Sequence, residues 1–401
     1  MSFRKNVFVL GAGFSKEAGA PLMDEFLRCA RDLRDDPKSE LNEHDREIFD
    51  RVIQYRYGLN RALAKVVVDL DNIEELFGFT EMDLQLSHES EVLPGNRVQR
   101  KDMTYLIART LEASIRKPLS QCGETIETRP IAAISRSWRH LKNQYSFFLG
   151  LVSGLWNPEK REAQIAKDSI ISFNYDLVLE REMDYLKLAP EYNCGPLAVP
   201  YAGAFAGHEL RVNLLKMHGS VNWVVCHRCG SDRLHFLNPE TAQVSKVETL
   251  PCPQCNQIGL TQFIVPPTWN KGIEEKFLRP VWSAALQEMM KAGRLFIIGY
   301  SFPRTDQFFK YMLGLALAEN DNLSEVYIVN PSEEVNARFK GLFHQYFHQR
   351  VVKPWTMETR SFIPNVKGLT HQEFDQENLG ASFEAVHTWR KNPDGSATLI
   401  G

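Results

Sequence analysis

Val7-Phe8-Val9-Leu10-Gly11-Ala12-Gly13-Phe14-Ser15 places an unbroken apolar run directly before a glycine-rich turn. A run without polar alternation suits a strand covered on both faces, and glycines at its end let the backbone turn tightly and approach a ligand closely. Runs of similar length recur at Ile170 to Phe173, Leu214 to Met217, Phe263 to Val265, Leu295 to Ile298 and Val326 to Val329. With helical patterns between several of them, these six runs predict an α/β protein built on a doubly wound, parallel six-stranded sheet. Ligands of such sheets bind beyond the carboxyl ends of the strands, so the residues that follow each run are where chemistry is expected.

The remaining sequence divides around those runs. Leu22 to Lys167 is polar and rich in Leu, Arg, Glu and Lys, which reads as a helical insertion; within it, Glu81 to Lys101 lacks periodicity and reads as a loop. Cys226 to Cys255 forms a second insertion. After Pro331 a helical pattern runs from Glu333 to Phe347, and from about Lys353 the tail reads as irregular, with a turn at Asn392-Pro393-Asp394-Gly395. The expected units are a Rossmann-like domain (1–21, 168–225 and 260–350), a helical insertion (22–167), a small zinc-ribbon module (226–259) and a C-terminal extension (351–401).

A chain of 401 residues with 43% hydrophobic and 11% aromatic content is long enough for a large core. Its net charge of -3 and the lack of a long Lys/Arg run offer no electrostatic footprint for nucleic acid or an anionic membrane. No window of eighteen apolar residues is present to span a bilayer, and Met1 to Phe14 has no secretory-signal pattern. Seven cysteines, four of them in C-x-x-C pairs, fit a reducing compartment, so a cytoplasmic location is expected.

The strand ends supply the candidate site. Gly11-Ala12-Gly13-Phe14-Ser15 allows a pyrophosphate to approach the backbone, although its spacing is not that of dehydrogenases and a plain strand-to-helix turn has the same residues. Asn174 and Asp176 stand two residues apart after the second run, either facing a ligand together or forming an Asx-rich turn. His218, at the end of the third run and followed by Gly219, is a candidate general base. Gly299, Ser301 and Asn330 follow the last two runs, where a phosphate, a ribose hydroxyl or simple turn chemistry would each select them. Asp306 is positioned to cap a helix over Thr305 to Leu313. Cys226, Cys229, Cys252 and Cys255 have the pairing expected of a closed tetrahedral Zn²⁺ site, which makes the metal structural; the gap between the pairs is slightly longer than usual. Cys29, Cys122 and Cys194 have no partner spacing.

Taken in order, Gly-Ala-Gly-x-Ser, Asn-x-Asp, His-Gly, two C-x-x-C pairs, Gly-x-Ser and a final Asn resemble the sirtuin superfamily from about Val7 to Pro331, and the wording around them is closer to its divergent microbial branch of NAD⁺ hydrolases. That resemblance implies NAD⁺ as substrate, with Gly11, Ala12, Gly13 and Ser15 on the pyrophosphate, Gly299 and Ser301 assisting, and Asn330 near the adenosine ribose. It implies that Asn174 positions the nicotinamide ribose and attacking water, that Asp176 holds the carboxamide, and that His218 acts on the ribose hydroxyls. The chain departs from the deacylase pattern twice. Pro21-Leu22-Met23-Asp24-Glu25-Phe26 replaces the usual Phe-Arg pair of the cofactor loop, and Phe263-Ile264-Val265-Pro266-Pro267-Thr268 replaces the Phe-Gly-Glu strand that pairs with an acylated peptide. Two prolines remove two backbone donors from such pairing, which favours water as the acceptor.

The leading expectation is therefore an NAD⁺ glycohydrolase releasing nicotinamide and ADP-ribose, in defence against phage. An NAD⁺-dependent deacylase and a non-catalytic NAD⁺ or ADP-ribose sensor are the alternatives. Because unrestrained NAD⁺ hydrolysis is toxic, control by homo-oligomerisation or by a helicase-like ATPase partner is also expected, by analogy.

Overall fold

The computed structural model describes residues 5–62, 68–86, 98–115, 144–153, 168–208, 210–228, 233–239, 242–265, 275–303, 306–323, 325–343, 388–391 and 397–400. In chain order the elements are β1 (Asn6–Leu10), α1 (Ala12–Ser15), α2 (Phe26–Asp35), α3 (Glu43–Ala62), α4 (Ile73–Leu86), α5 (Arg100–Ser114), α6 (Gln144–Val152), β2 (Ser169–Ser172), α7 (Val178–Tyr185), β3 (Leu188–Glu191), β4 (Ala198–Pro200), β5 (Leu210–Lys216) and β6 (Gly219–Cys226). They continue with β7 (Leu234–Phe236), α8 (Val244–Val247), β8 (Leu260–Ile264), α9 (Glu275–Met290), β9 (Arg294–Ile298), α10 (Gln307–Glu319), β10 (Glu325–Val329), α11 (Glu333–Phe343), β11 (Thr388–Lys391) and β12 (Ala397–Ile400).

The apolar runs pair as their composition demands. The main sheet has the order β10-β9-β1-β2-β5-β3, and every neighbouring pair is parallel. Phe8 stands opposite both Ile170 and Phe296, and Phe296 opposite Tyr327. Their rings form a stack across three strands, 4.8 Å from Phe8 to Phe296 and 4.7 Å from Phe296 to Tyr327. Every residue of β1, β2 and β10 is buried, which is why these runs do not alternate. From β1 the chain passes to β2, then to the edge as β3, fills the gap between them with β5, and returns to the other side of β1 as β9 and β10. That reversal puts a topological switch point between the tips of β1 and β9.

The sixth strand corrects the expected set. Phe263 to Val265 does not join the parallel sheet; β8 pairs antiparallel with β6 in a second sheet ordered β4-β7-β6-β8. The place at the edge of the main sheet is taken by Leu188-Ala189-Pro190-Glu191, parallel to β5. A four-residue strand interrupted by proline gives little apolar signal, and an edge is where a missing backbone donor is tolerated.

The insertion is helical where it is described. Residues 81–86 of the expected loop end α4 and residues 100–101 begin α5, while 87–97 lie outside the described residues. The insertion grips the first strand tip. Phe148 of α6 packs edge-on against Phe8 and Phe14, at 5.2 Å in both cases, and the Tyr145 hydroxyl bonds the Phe14 carbonyl and the Ala18 N–H, each at 3.1 Å. The final helix ends at Phe343, and residues 344–347 of its expected span lie outside the described residues. The tail, expected to be irregular, contains an antiparallel pair, β11 with β12, around the expected turn, whose own residues are outside the description.

Two glycines behave differently for a local reason. A Cβ on Gly299, whose φ is +62°, would lie 2.3 Å from the Phe14 backbone nitrogen, whereas a Cβ on Gly314 in α10 meets nothing within 4 Å. Gly299→Ala should therefore destabilise the protein by roughly 2–4 kcal/mol, and Gly314→Ala should be neutral or stabilising by up to about 1 kcal/mol. Chemical denaturation of both variants checks the contrast.

Candidate active site

Three strand tips meet through backbone and short polar groups. The Gly11 N–H donates to the Ile298 carbonyl at 3.0 Å and the Gly13 N–H to the Gly299 carbonyl at 2.9 Å, so β1 and β9 stay joined past their last paired residues. A Cβ on Gly11 would come within 2.4 Å of the Tyr300 Cα, which explains the glycine by close backbone approach. From β2, the Asn174 Nδ2 donates to the Gly11 carbonyl at 2.9 Å and to the Ser15 hydroxyl at 3.0 Å. Three residues from two separate sequence motifs, Gly11, Ser15 and Asn174, are thus in contact. The Gly13 N–H, which the sequence offers to a ligand, is engaged by Gly299.

His218 sits just past β5, only 4% exposed. Its Nε2 lies 3.9 Å from Asp306 Oδ2, and the Tyr300 hydroxyl donates to that same oxygen at 2.6 Å. Burial alone would raise the Asp306 carboxyl, but the hydrogen bond and charge of His218, together with the Tyr300 hydroxyl and the Phe309 N–H, hold it below the usual carboxylate range. The other Asp306 oxygen accepts from the Phe309 N–H at 3.1 Å and caps α10. One carboxylate therefore fixes a helix and faces an imidazole. Burial, and then Asp306, push the Tyr300 phenol well above its ordinary value, so it remains a donor. Phe173 closes the pocket, its ring 5.4 Å from His218 and stacked on Tyr300 at 4.3 Å, with Tyr175 6.3 Å from His218. A buried imidazole facing an ionised carboxylate is a base with an orienting partner.

The other expected residues occupy other positions. Asp176 Oδ1 accepts from the Val178 N–H at 3.0 Å at the start of α7, and the Asp176 carbonyl accepts from Lys216 Nζ at 2.7 Å. None of the hydrogen bonds described for its carboxylate joins Asn174. Gly299 is in the glycine contact, whereas Ser301 is exposed and offers its carbonyl to Arg338 at 3.1 Å. Asn330 is buried; its Nδ2 donates to the Tyr300 carbonyl at 3.3 Å and its Oδ1 accepts from the Ser332 N–H at 2.9 Å, so it braces the β9 and β10 tips.

Two carboxylates, the buried Glu180 and the partly buried Glu74, were not legible from the motifs. Glu180 of α7 forms an ion pair with Lys216 at 3.1 Å, both fully enclosed, and burial raises its carboxyl in spite of the lysine. Glu74, in the first turn of α4, is pushed up to about 8 by burial and then by the charges of Asp306 and Glu75. Its charge contributes to raising the phenols of Tyr175 and Tyr300, after burial. The start of α4 is held by the Ile73 N–H, which donates to the Met23 carbonyl at 3.3 Å, just beyond the glycine turn.

The thiols of Cys226, Cys252 and Cys255 all lie within 4.8 Å of one another, and Cys226 Sγ is 3.8 Å from Cys255 Sγ. Zn–S bonds of about 2.3 Å in a tetrahedron separate sulfurs by about 3.8 Å, so these three thiols fit a structural zinc. Cys229, the fourth expected ligand, lies outside the described residues. Pro266, Pro267 and Thr268, on which the argument against peptide pairing turns, are outside them too. So is Cys122, whereas Cys194 is buried and Cys29 partly so. Among the described residues no helix is long and apolar enough to cross a membrane.

The chain is similar to solved Sir2 structures. It shares 15% identity with a Sir2 complex containing the inhibitor EX-527, 2'-O-acetyl-ADP-ribose and a deacetylated p53 peptide, covering 92% of this chain and 95% of that one with a TM-score of 0.39. It shares 12% with a Sir2 homolog–NAD complex, covering 92% and 91% with a TM-score of 0.38. No family model and no curated protein sequence matches.

Two outcomes follow from the titrating and metal-binding groups. Because the Glu74 carboxyl rises from 4.5 to about 8 on folding, the unfolded chain binds fewer protons between those values and stability falls as pH rises through that window. Glu74→Gln should flatten the fall, with the largest gain in thermal midpoint near pH 8, measured by calorimetry across pH. Elemental analysis should find about one zinc per chain, lost in Cys252→Ser with a lower thermal midpoint.

Proposed function

We propose that this protein is an NAD⁺ glycohydrolase that cleaves the bond between nicotinamide and ribose. The observation that carries the reading is the contact of Asn174 with both Gly11 and Ser15, since it ties the residue assigned to the reacting ribose to the turn assigned to the pyrophosphate. His218 adds a base held by Asp306 in an aromatic, water-poor pocket beyond a strand end. In this reading Gly11, Ala12, Gly13 and Ser15 hold the pyrophosphate, with Gly299, Ser301 and Asn330 toward the adenosine side. Asn174 orients the ribose and water, Asp176 receives the carboxamide, and His218 acts at the ribose hydroxyls.

The chemistry suits such a pocket. The pyridinium ring leaves as neutral nicotinamide while positive charge develops on the ribose, and oriented dipoles with a nearby base stabilise that charge. Cys229 completes the zinc thiolates, which hold β6 and the Cys252 turn together without entering the reaction. A role in antiphage defence, with activity restrained by self-assembly through the helical insertion or by a helicase-like ATPase, fits the hazard of NAD⁺ loss.

Purified protein given NAD⁺ alone should release nicotinamide and ADP-ribose, resolved by chromatography. His218→Ala should lower the rate at least about 100-fold with its circular dichroism unchanged, and Asp306→Asn by a smaller factor. Nicotinamide appearing only after addition of an acylated peptide would identify a deacylase instead, and tight NAD⁺ binding without product would identify a sensor.

A further inference from the structure

β5 ends at Lys216, so Met217 and His218 lie just beyond the last residues paired between β2 and β5. The Met217 N–H still donates to the Ser172 carbonyl at 2.9 Å, as a continuing parallel ladder requires. The next rung of that ladder would run from the Asn174 N–H to the Met217 carbonyl. Asn174 instead turns its N–H to the Ser172 hydroxyl at 3.2 Å, and its side chain goes to Gly11 and Ser15. Met217 is 1% exposed, and a carbonyl buried to that degree needs a donor. Trp282 of α9 supplies it, its Nε1–H donating to the Met217 carbonyl at 2.9 Å. The indole is itself buried, with the Phe308 ring of α10 against it at 4.7 Å. Two residues before Phe308, Asp306 faces the His218 imidazole, so α10 touches both the side chain of His218 and the indole that holds its backbone. On the other side, the His218 carbonyl accepts from the Val265 N–H at 2.9 Å.

We infer that Trp282 is a positioning residue for His218 and Asn174. Its N–H replaces the missing rung, so the chain can carry His218 past the end of β5 while Asn174 leaves the ladder for the glycine turn. Its part in catalysis rests on the NAD⁺ reading above, but its hold on His218 does not.

Two substitutions separate the N–H from the bulk of the ring. Trp282→Phe keeps an aromatic six-membered ring and loses the donor. In Trp282→His the five-membered ring sets Nε2 where the indole has Nε1, so the donor is kept and packing is lost. At about pH 8, where a free imidazole is neutral, and with NAD⁺ alone, Trp282→Phe should lower kcat about tenfold or more with KM within about twofold, and Trp282→His should recover most of the parent rate. The midpoint of the His218 imidazole titration, followed by NMR on the signal absent from His218→Ala, should shift in Trp282→Phe and return in Trp282→His. That second readout needs no turnover, so an inactive parent would count against NAD⁺ cleavage while the titration still decides the role of Trp282. Parent-like kinetics and titration in Trp282→Phe, or a Trp282→His protein as impaired as Trp282→Phe in both, would reduce Trp282 to packing and overturn the inference.

Discussion

The closure of β1 against β9, glycine backbone to glycine backbone, is the constraint on which the rest of the site depends. Gly13 donates to Gly299, and a Cβ at Gly11, Gly13 or Gly299 would come within 3 Å of the facing chain. Only residues without a side chain allow two parallel strand tips to approach so closely at the point where the sheet reverses direction. Once the tips are fixed, Asn174 reaches Gly11 and Ser15 from β2, and Tyr300 is carried over to Asp306. The glycines therefore contribute directly to the architecture of the cleft.

Around this closure the protein buries polar side chains in paired form. His218, Asp306 and Tyr300 make one cluster; Lys216 and Glu180, with the Asp176 carbonyl, make another beside it. A buried ion pair adds little net stability, because desolvation offsets the attraction, but losing one partner leaves an isolated charge at a much larger cost. Glu74 stands apart, since desolvation and the neighbouring charges of Asp306 and Glu75 favour its protonated form. The helical insertion thus braces the glycine turn, through the Tyr145 hydroxyl.

Five of the six main-sheet strands were legible because the burial of both faces leaves a local mark, an uninterrupted apolar run. The run at Phe263 carried the same mark for a different reason: β8 is covered within the small sheet and by α5. The strand that replaced it, with Pro190 in its centre, had nothing local to announce it. At the site the motifs located Asn174, Gly11, Ser15 and His218, while Asp306 showed only its capping role. A cap is recognisable from the next three residues, whereas a partner from a distant strand end is not.

The sequence by itself determined the residues whose signal is local: the apolar runs, the glycine turns at their ends, the paired cysteines, and a histidine and an asparagine directly after strands. Tertiary structure decided which of these meet. It set Asp306 and not Asp176 opposite the imidazole, chose Leu188–Glu191 as the sixth strand, and brought Tyr145 of the insertion onto the glycine turn. The physical reason is that backbone preference and burial act over a few neighbouring residues and leave a periodicity behind. Hydrogen bonds and charge contacts between distant segments depend on strand order and crossover paths, which leave no periodic trace in the chain.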